Sequence, residues 1–156
     1  MTNSVVTHVL CFGQSNGQIA TTVQGGTPGY SYTWTPAQSN SGVVGGLSQG
    51  PYSVVIKDAK NCSINANFNI LEPSALTSTS LSLPAKCGIA NGSATVTVSG
   101  GTSAYNLTWN TSTPQSGTVA INMASANYIC TITDAHGCTL NQPVTVPNAQ
   151  IGRAHV

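Results

Sequence analysis

Charge is what this sequence has least of. Of its 156 residues only Lys57, Lys60, Lys86, Arg153, Asp58, Glu72 and Asp134 carry it, about 4%, against roughly 25% in an average soluble domain. The net charge of +1 supplies no field to steer nucleic acid or anionic lipid, so neither is an expected partner. No apolar run approaches the ~18 residues needed to span a bilayer, so membrane insertion is not expected. Segments with a 3.6-residue period are missing, and Ala, Glu, Lys and Leu are too sparse for long helices. Disorder is not the alternative: disordered chains join low hydrophobicity to high charge, whereas here 40% of residues are apolar. The opening MTNSVVTHVL has neither the basic start nor the long apolar stretch of a signal peptide. The chain therefore reads as cytosolic or as a piece of something longer, and its five cysteines favour the piece.

What is present is a duplication. GGTPGYSYTW (25–34) returns as GGTSAYNLTW (100–109), and the match extends both ways. Cys11 and Asn16-Gly17 correspond to Cys87 and Asn91-Gly92; GPYSVVIKDAKNC (50–62) corresponds to ANYICTITDAHGC (126–138). Copy one has an extra residue after its first Cys, and copy two has one between its Trp and Asp, which places loops in both intervals. VVTHVL, QIATTV, YSYTW, YSVVIK and SINANFNI alternate β-branched or aromatic residues with others, and SATVTV, YNLTW, YICTIT and TLNQPVTV repeat the plan. Gly, Asn, Pro and Ser clusters separate them. Several short strands per ~75 residues predict an all-β chain of two tandem antiparallel β-sandwiches, residues 1–73 and 74–147, joined near Glu72-Pro73-Ser74. The residues after 147 form a tail. Its last six, IGRAHV, fit neither repeat and match the translation of ATC GGA AGA GCA CAC GTC, which resembles the start of a sequencing-library adapter. Arg153 and His155 accordingly carry no functional argument.

The set C-x-G, NG, V-x-GGT, Y-x-Y-x-W, L-x-x-G-x-Y-x-V and D-A-x-x-C, closing on EP, resembles the SprB-type repeat. Leu47, Gly50, Tyr52, Asp58, Ala59 and Cys62 sit on that pattern in copy one, and Tyr128, Asp134, Ala135, Gly137 and Cys138 in copy two. Met123 and Ala126 depart from it, standing where it has Leu and Gly. The resemblance implies an Ig-like module repeated in large surface proteins of Bacteroidetes, named after a gliding-motility adhesin and exported by the type IX route. It implies a spacer, display or adhesive role at the cell surface, with neighbouring repeats and surface glycans or other polymers as partners, and neither catalytic residues nor cofactors.

The remaining residues are weighed in that light. Cys11 to Cys62 and Cys87 to Cys138 have the same separation, which suggests one disulfide per module in an exported protein. Unpaired thiols are the alternative. A zinc site is disfavoured because no CxxC occurs and the histidines lack paired ligand spacing. Tyr30, Tyr32 and Trp34 share one face of a strand. They could stack on sugars, but the second copy has Tyr105, Leu107 and Trp109, and Leu stacks poorly, so core is the better reading. Tyr52 and Tyr128 join that core. Cys130 replaces Val54 and is read as a buried thiol, lacking a His partner for nucleophilic work. Asp58 and Asp134 fit the tight turns DAKNC and DAHGC, and the glycine pairs fit backbone with positive φ. With no nucleophile–base pair, metal set or phosphate loop, an enzyme is not expected. The other class of function kept open is an accessory carbohydrate-binding module of a secreted glycoside hydrolase, for which Tyr30 and Tyr105 are the possible ligand contacts.

Overall fold

In the computed structural model, which describes residues 2–149, the break between compact units falls between Pro73 and Ser74. The tail 150–156, including the adapter-like IGRAHV, lies outside the described residues.

The first unit has six strands: β1 (Thr2–Thr7), β2 (Gly17–Val23), β3 (Ser31–Thr35), β4 (Val43–Leu47), β5 (Gly50–Lys57) and β6 (Ser63–Ile70). They form two three-stranded sheets, ordered β1-β2-β4 and β3-β5-β6, with every pairing antiparallel. That is the A-B-E and C-F-G arrangement of an immunoglobulin-like sandwich without strand D. Period-two alternation turns Ile19 of β2 inward against Trp34 of β3 and Val54 and Ile56 of β5. Full burial of each such aliphatic side chain stabilises the fold by about 1.5–3 kcal/mol.

The second unit repeats the plan with β7 (Thr77–Leu83), β9 (Gly92–Ser99), β10 (Asn106–Trp109), β12 (Val119–Met123), β13 (Ala126–Thr133) and β14 (Thr139–Val146). The sheets are β7-β9-β12 and β10-β13-β14, the latter extended by the short β11 (Gln115–Ser116). A small parallel ribbon pairs β8 (Ala85–Lys86) with β15 (Asn148–Ala149). Each unit has its own core: Ile19, Trp34, Leu47, Val54, Ile56 and Ile70 in the first, Val96, Trp109, Met123, Cys130, Ile132 and Val146 in the second.

Three strands lack the pattern that marks the others. β4 reads VVGGL, with Val44 and Leu47 buried three positions apart. The β2–β4 register shifts between Gly17 and Gln18, so a bulge carries the chain past one residue and returns Leu47 to the core face. β12 does the same, burying Ala120 and Met123 with a register shift between them. Met123 thus fills the place of Leu47, both about 1% exposed. β7, TSTSLSL, instead leaves Leu81 and Leu83 exposed and is the edge strand of its sheet.

Candidate functional site

The ten-residue segment shared by the copies, 25–34 and 100–109, forms the best-defined constellation in each unit. Gly25 and Gly26 turn the chain from β2 to β3 with φ of 91° and 76°; Gly100 and Gly101 do so in the second unit with 76° and 60°. Glycine is required twice over at the second position: a Cβ on Gly26 would lie 3.0 Å from Asp58 Oδ2, and one on Gly101 2.8 Å from Asp134 Oδ2. The tyrosine that follows closes the turn. Tyr30 donates its hydroxyl to the Gly25 carbonyl at 2.8 Å, and Tyr105 donates to that of Gly100 at 2.6 Å.

Asp58 and Asp134 tie this turn to a second one. Asp58 Oδ2 accepts the Thr27 N–H at 3.0 Å, while Oδ1 accepts those of Lys60 and Cys62, both at 2.9 Å. Asp134 reproduces the set with Thr102 on Oδ2 and His136 and Cys138 on Oδ1, all at 2.9 Å. The backbone adds a further link: Ala59 N–H to Thr27 O, and Ala135 N–H to Thr102 O, each 3.2 Å. One carboxylate therefore locks the hairpin turn it starts and the glycine turn more than 30 residues before it. Asp58 is held below the ordinary carboxylate range by the N–H groups of Thr27, Cys62 and Lys60. At Asp134 burial pushes upward, but the N–H groups of Thr102, Cys138 and His136, with the His136 ring, outweigh it and the pKa falls. Sequence reading places both residues in tight turns; the partnership with GGT is the part it misses, although GGT and DAxxC recur together in both copies.

The aromatic residues are taken up by the fold. Trp34 and Trp109 are buried and donate their Nε1–H to the carbonyls of Ser41 and Gly117, both at 2.9 Å. Trp34 also meets Phe68 at 5.9 Å between ring centroids. Leu107 is buried and Tyr32 half-buried. Tyr52, buried, and Tyr128, half-buried, open the F-type strands. Their hydroxyls reach back four residues to Ser48 O and Ala124 O, each 3.1 Å. This is the tyrosine corner of immunoglobulin-like sandwiches, a job sequence reading records only as core. Tyr30 and Tyr105 are half-buried against their cores. Among the described residues the one exposed aromatic is Phe12, so no aromatic row faces solvent. A cleft of about 180 Å³ opens beside the first lock, between Val23, Tyr30, Asp58 and Cys62. Among the described residues no three His, Cys, Asp or Glu converge in a way that could hold a metal ion.

The cysteines correct the expectation. Cys11 and Cys138 are disulfide-bonded, whereas Cys62, Cys87 and Cys130 are free. Neither Cys11–Cys62 nor Cys87–Cys138 forms, and geometry gives the reason. Cys11 lies in the β1–β2 loop, beside the end of β2 where Gly17 packs on Leu47 and Ile70. Cys62 lies at the opposite end, in the β5–β6 hairpin with Asp58. β2 runs between those ends, and its seven residues span roughly 20 Å at ~3.3 Å each. Bonded cysteines need Cα atoms within about 7 Å. Cys87 and Cys138 are likewise separated by the length of β9. Cys130 is fully buried opposite Trp109, and burial pushes its thiol to about 11, so it stays protonated and inert near neutrality. Titrating the denatured, unreduced chain with a thiol reagent should count three thiols. A single thiol would restore pairing within repeats, and a full complement would mean that no disulfide forms.

Two segments of the chain, residues 3–39 and 82–114, match the family model of the SprB repeat. Each unit carries an SprB-repeat segment. The segments cover the loop-end cysteine, the NG dipeptide, the glycine turn and the core tryptophan of each unit, while the tyrosine corner and the DAxxC hairpin lie outside them. The SprB repeat is a structural repeat of cell-surface proteins rather than an enzyme family. Among curated proteins, none matches the chain.

Proposed function

We propose that these two SprB repeats are a non-catalytic length of a large exported surface protein, serving as spacer and display unit with adhesion carried by loops at the sandwich ends. One observation carries this reading. The side chains that could support chemistry in one copy do the same structural task in the other: the aspartate locks two turns, the tryptophan fills the core, and both tyrosines close corners. A binding or catalytic centre would be free to differ between copies; a scaffold must be the same twice. The scarcity of charge fits as well, since a surface of hydroxyls and amides offers little to steer ionic ligands. Neighbouring repeats of the same parent chain, and surface glycans or other polymers met by the loops, are the partners this role implies.

An antibody raised against the folded chain tests the location. It should label intact cells that carry the parent gene, and mild protease treatment of those cells should remove the label. Labelling that needs permeabilised cells would defeat the proposal.

A further inference from the structure

We propose that the cleft beside the glycine turn of the first unit is the seat of the stretch of parent chain that leads into that unit, just ahead of residue 1. An aliphatic side chain of that stretch fills the cleft, and the carbonyl two residues earlier accepts the Gly26 N–H. The inference rests on reading the chain as part of a longer array.

The second unit shows such a seat filled by its own chain. Ser74, Ala75 and Leu76 lead into β7 across the Gly100-Gly101 turn. The Ser74 carbonyl accepts the Gly101 N–H at 2.9 Å. Leu76 is half-buried and packs against the second core. Its Cδ1 lies 3.0 Å from where a Cβ on Gly101 would stand, and a Cβ on Gly100 would run into the Ala75 carbonyl. The glycine pair therefore also lets this strap lie flat on the turn.

The first unit has the same walls without the strap. Gly26, Tyr30, Ile56 and Asp58, the counterparts of Gly101, Tyr105, Ile132 and Asp134, border the opening of about 180 Å³. Among the described residues nothing lies within 4 Å of a Cβ on Gly25, and the Gly26 N–H has no carbonyl partner. Burial differs in the same sense all round. Gly25 and Gly26 are exposed where Gly100 and Gly101 are half-buried, and Ile64 is exposed where Leu140 is half-buried. Asp58 is half-buried, whereas Asp134 is 5% exposed.

The strand register names the occupant. Val5 pairs with Ala20 as Leu81 pairs with Thr95, so Val5 holds the place of Leu81. Counting back along β1 and β7 puts the place of Leu76 immediately ahead of residue 1, and that of Ser74 two residues further. The Asp58 carboxylate already accepts three N–H groups, and Val23 and Ile56 line the rest. The seat thus asks for an aliphatic side chain rather than a cation, with small residues before it where backbone meets glycine.

The test adds Ser-Ala-Leu ahead of residue 1 in the full chain carrying Trp109→Phe, so that Trp34 alone reports on the first unit. Against the same chain without the addition, the Gly26 N–H should exchange with deuterium about 2- to 12-fold more slowly by NMR, the worth of one net hydrogen bond. The thermal midpoint read by Trp34 should rise by about 4–8 °C. The Gly101 N–H, already bonded by Ser74, should exchange as before and serves as the internal standard. Adding Ser-Ala-Asp instead should give neither effect, because the cleft would have to bury an unpaired carboxylate. Unchanged exchange at Gly26, or equal effects from the two additions, would overturn the proposal and leave the cleft to a ligand from outside the chain. Either result would leave the surface role standing, because antibody labelling does not depend on the cleft.

Discussion

Trp109→Ala is expected to unfold the second repeat and leave the first folded. Trp109 is 3% exposed, lies across from Cys130, and ties the chain beyond its strand to the core through the bond from Nε1–H to Gly117 O. Truncating a core tryptophan costs about 3–5 kcal/mol. A domain of ~75 residues has a total stability of about 4–11 kcal/mol at usual values per residue. The change therefore removes roughly a quarter of that stability at the least and all of it at the most. The Gly117 carbonyl also loses its side-chain donor. Trp34→Ala should do the same to the first repeat, where the Trp34 indole additionally packs on Phe68. Thermal melts followed by far-ultraviolet circular dichroism should show about half of the β signal lost early and the remainder melting as before.

Asp134→Ala should be the most damaging change at any charged residue of the second repeat. It removes the acceptor for three backbone N–H groups in two turns at once. Hydrogen bonds to a charged group contribute about 1.5–3 kcal/mol each, with neighbouring ones not additive. A loss of about 3 kcal/mol is expected, lowering the Tm of that repeat by on the order of 10–20 °C. Acid should act through the same residue. The pKa of Asp134 is lowered on folding, so its contribution is complete above the unfolded carboxylate value near 3.8 and is lost as pH falls through the folded value. Asp134 is the second repeat's only acidic side chain, which makes the assignment unusually clean. In a Trp34→Phe chain, where Trp109 alone reports, stability should fall as the pH drops below about 4. With Asp134→Asn added, the repeat should start less stable and show little further loss over that range. A steep acid limb in the Asn variant would place the titrating group elsewhere.

The two-sandwich plan was legible because most strands alternate cleanly, as in YSVVIK, where Tyr52, Val54 and Ile56 are buried. It failed where the backbone abandons period two. In VVGGL and VAINM the bulge puts buried side chains three apart, and no alternation test recognises that spacing. β7 was invisible because its Ser and Thr residues pair along an edge without filling a core. The aspartates were readable as turn residues from DAxxC, but their second partner lies over 30 residues earlier, and a local motif holds no information about it. Cysteine spacing misled for a plain reason. Equal separation in two copies shows that the cysteines hold equivalent places in each repeat, and equivalence says nothing about nearness. The strands between Cys11 and Cys62 decide the distance, and they carry the two to opposite ends.

The account stands on two interiors that fold independently, each built around its own tryptophan. Urea unfolding of the Trp109→Ala chain in reducing buffer, followed by the emission of Trp34, tests this most directly. The native emission should be blue-shifted, with a single transition at the midpoint shown by a Trp109→Phe chain. A midpoint lowered in step with the loss of the second repeat, or a Trp34 spectrum already solvent-exposed without denaturant, would contradict it.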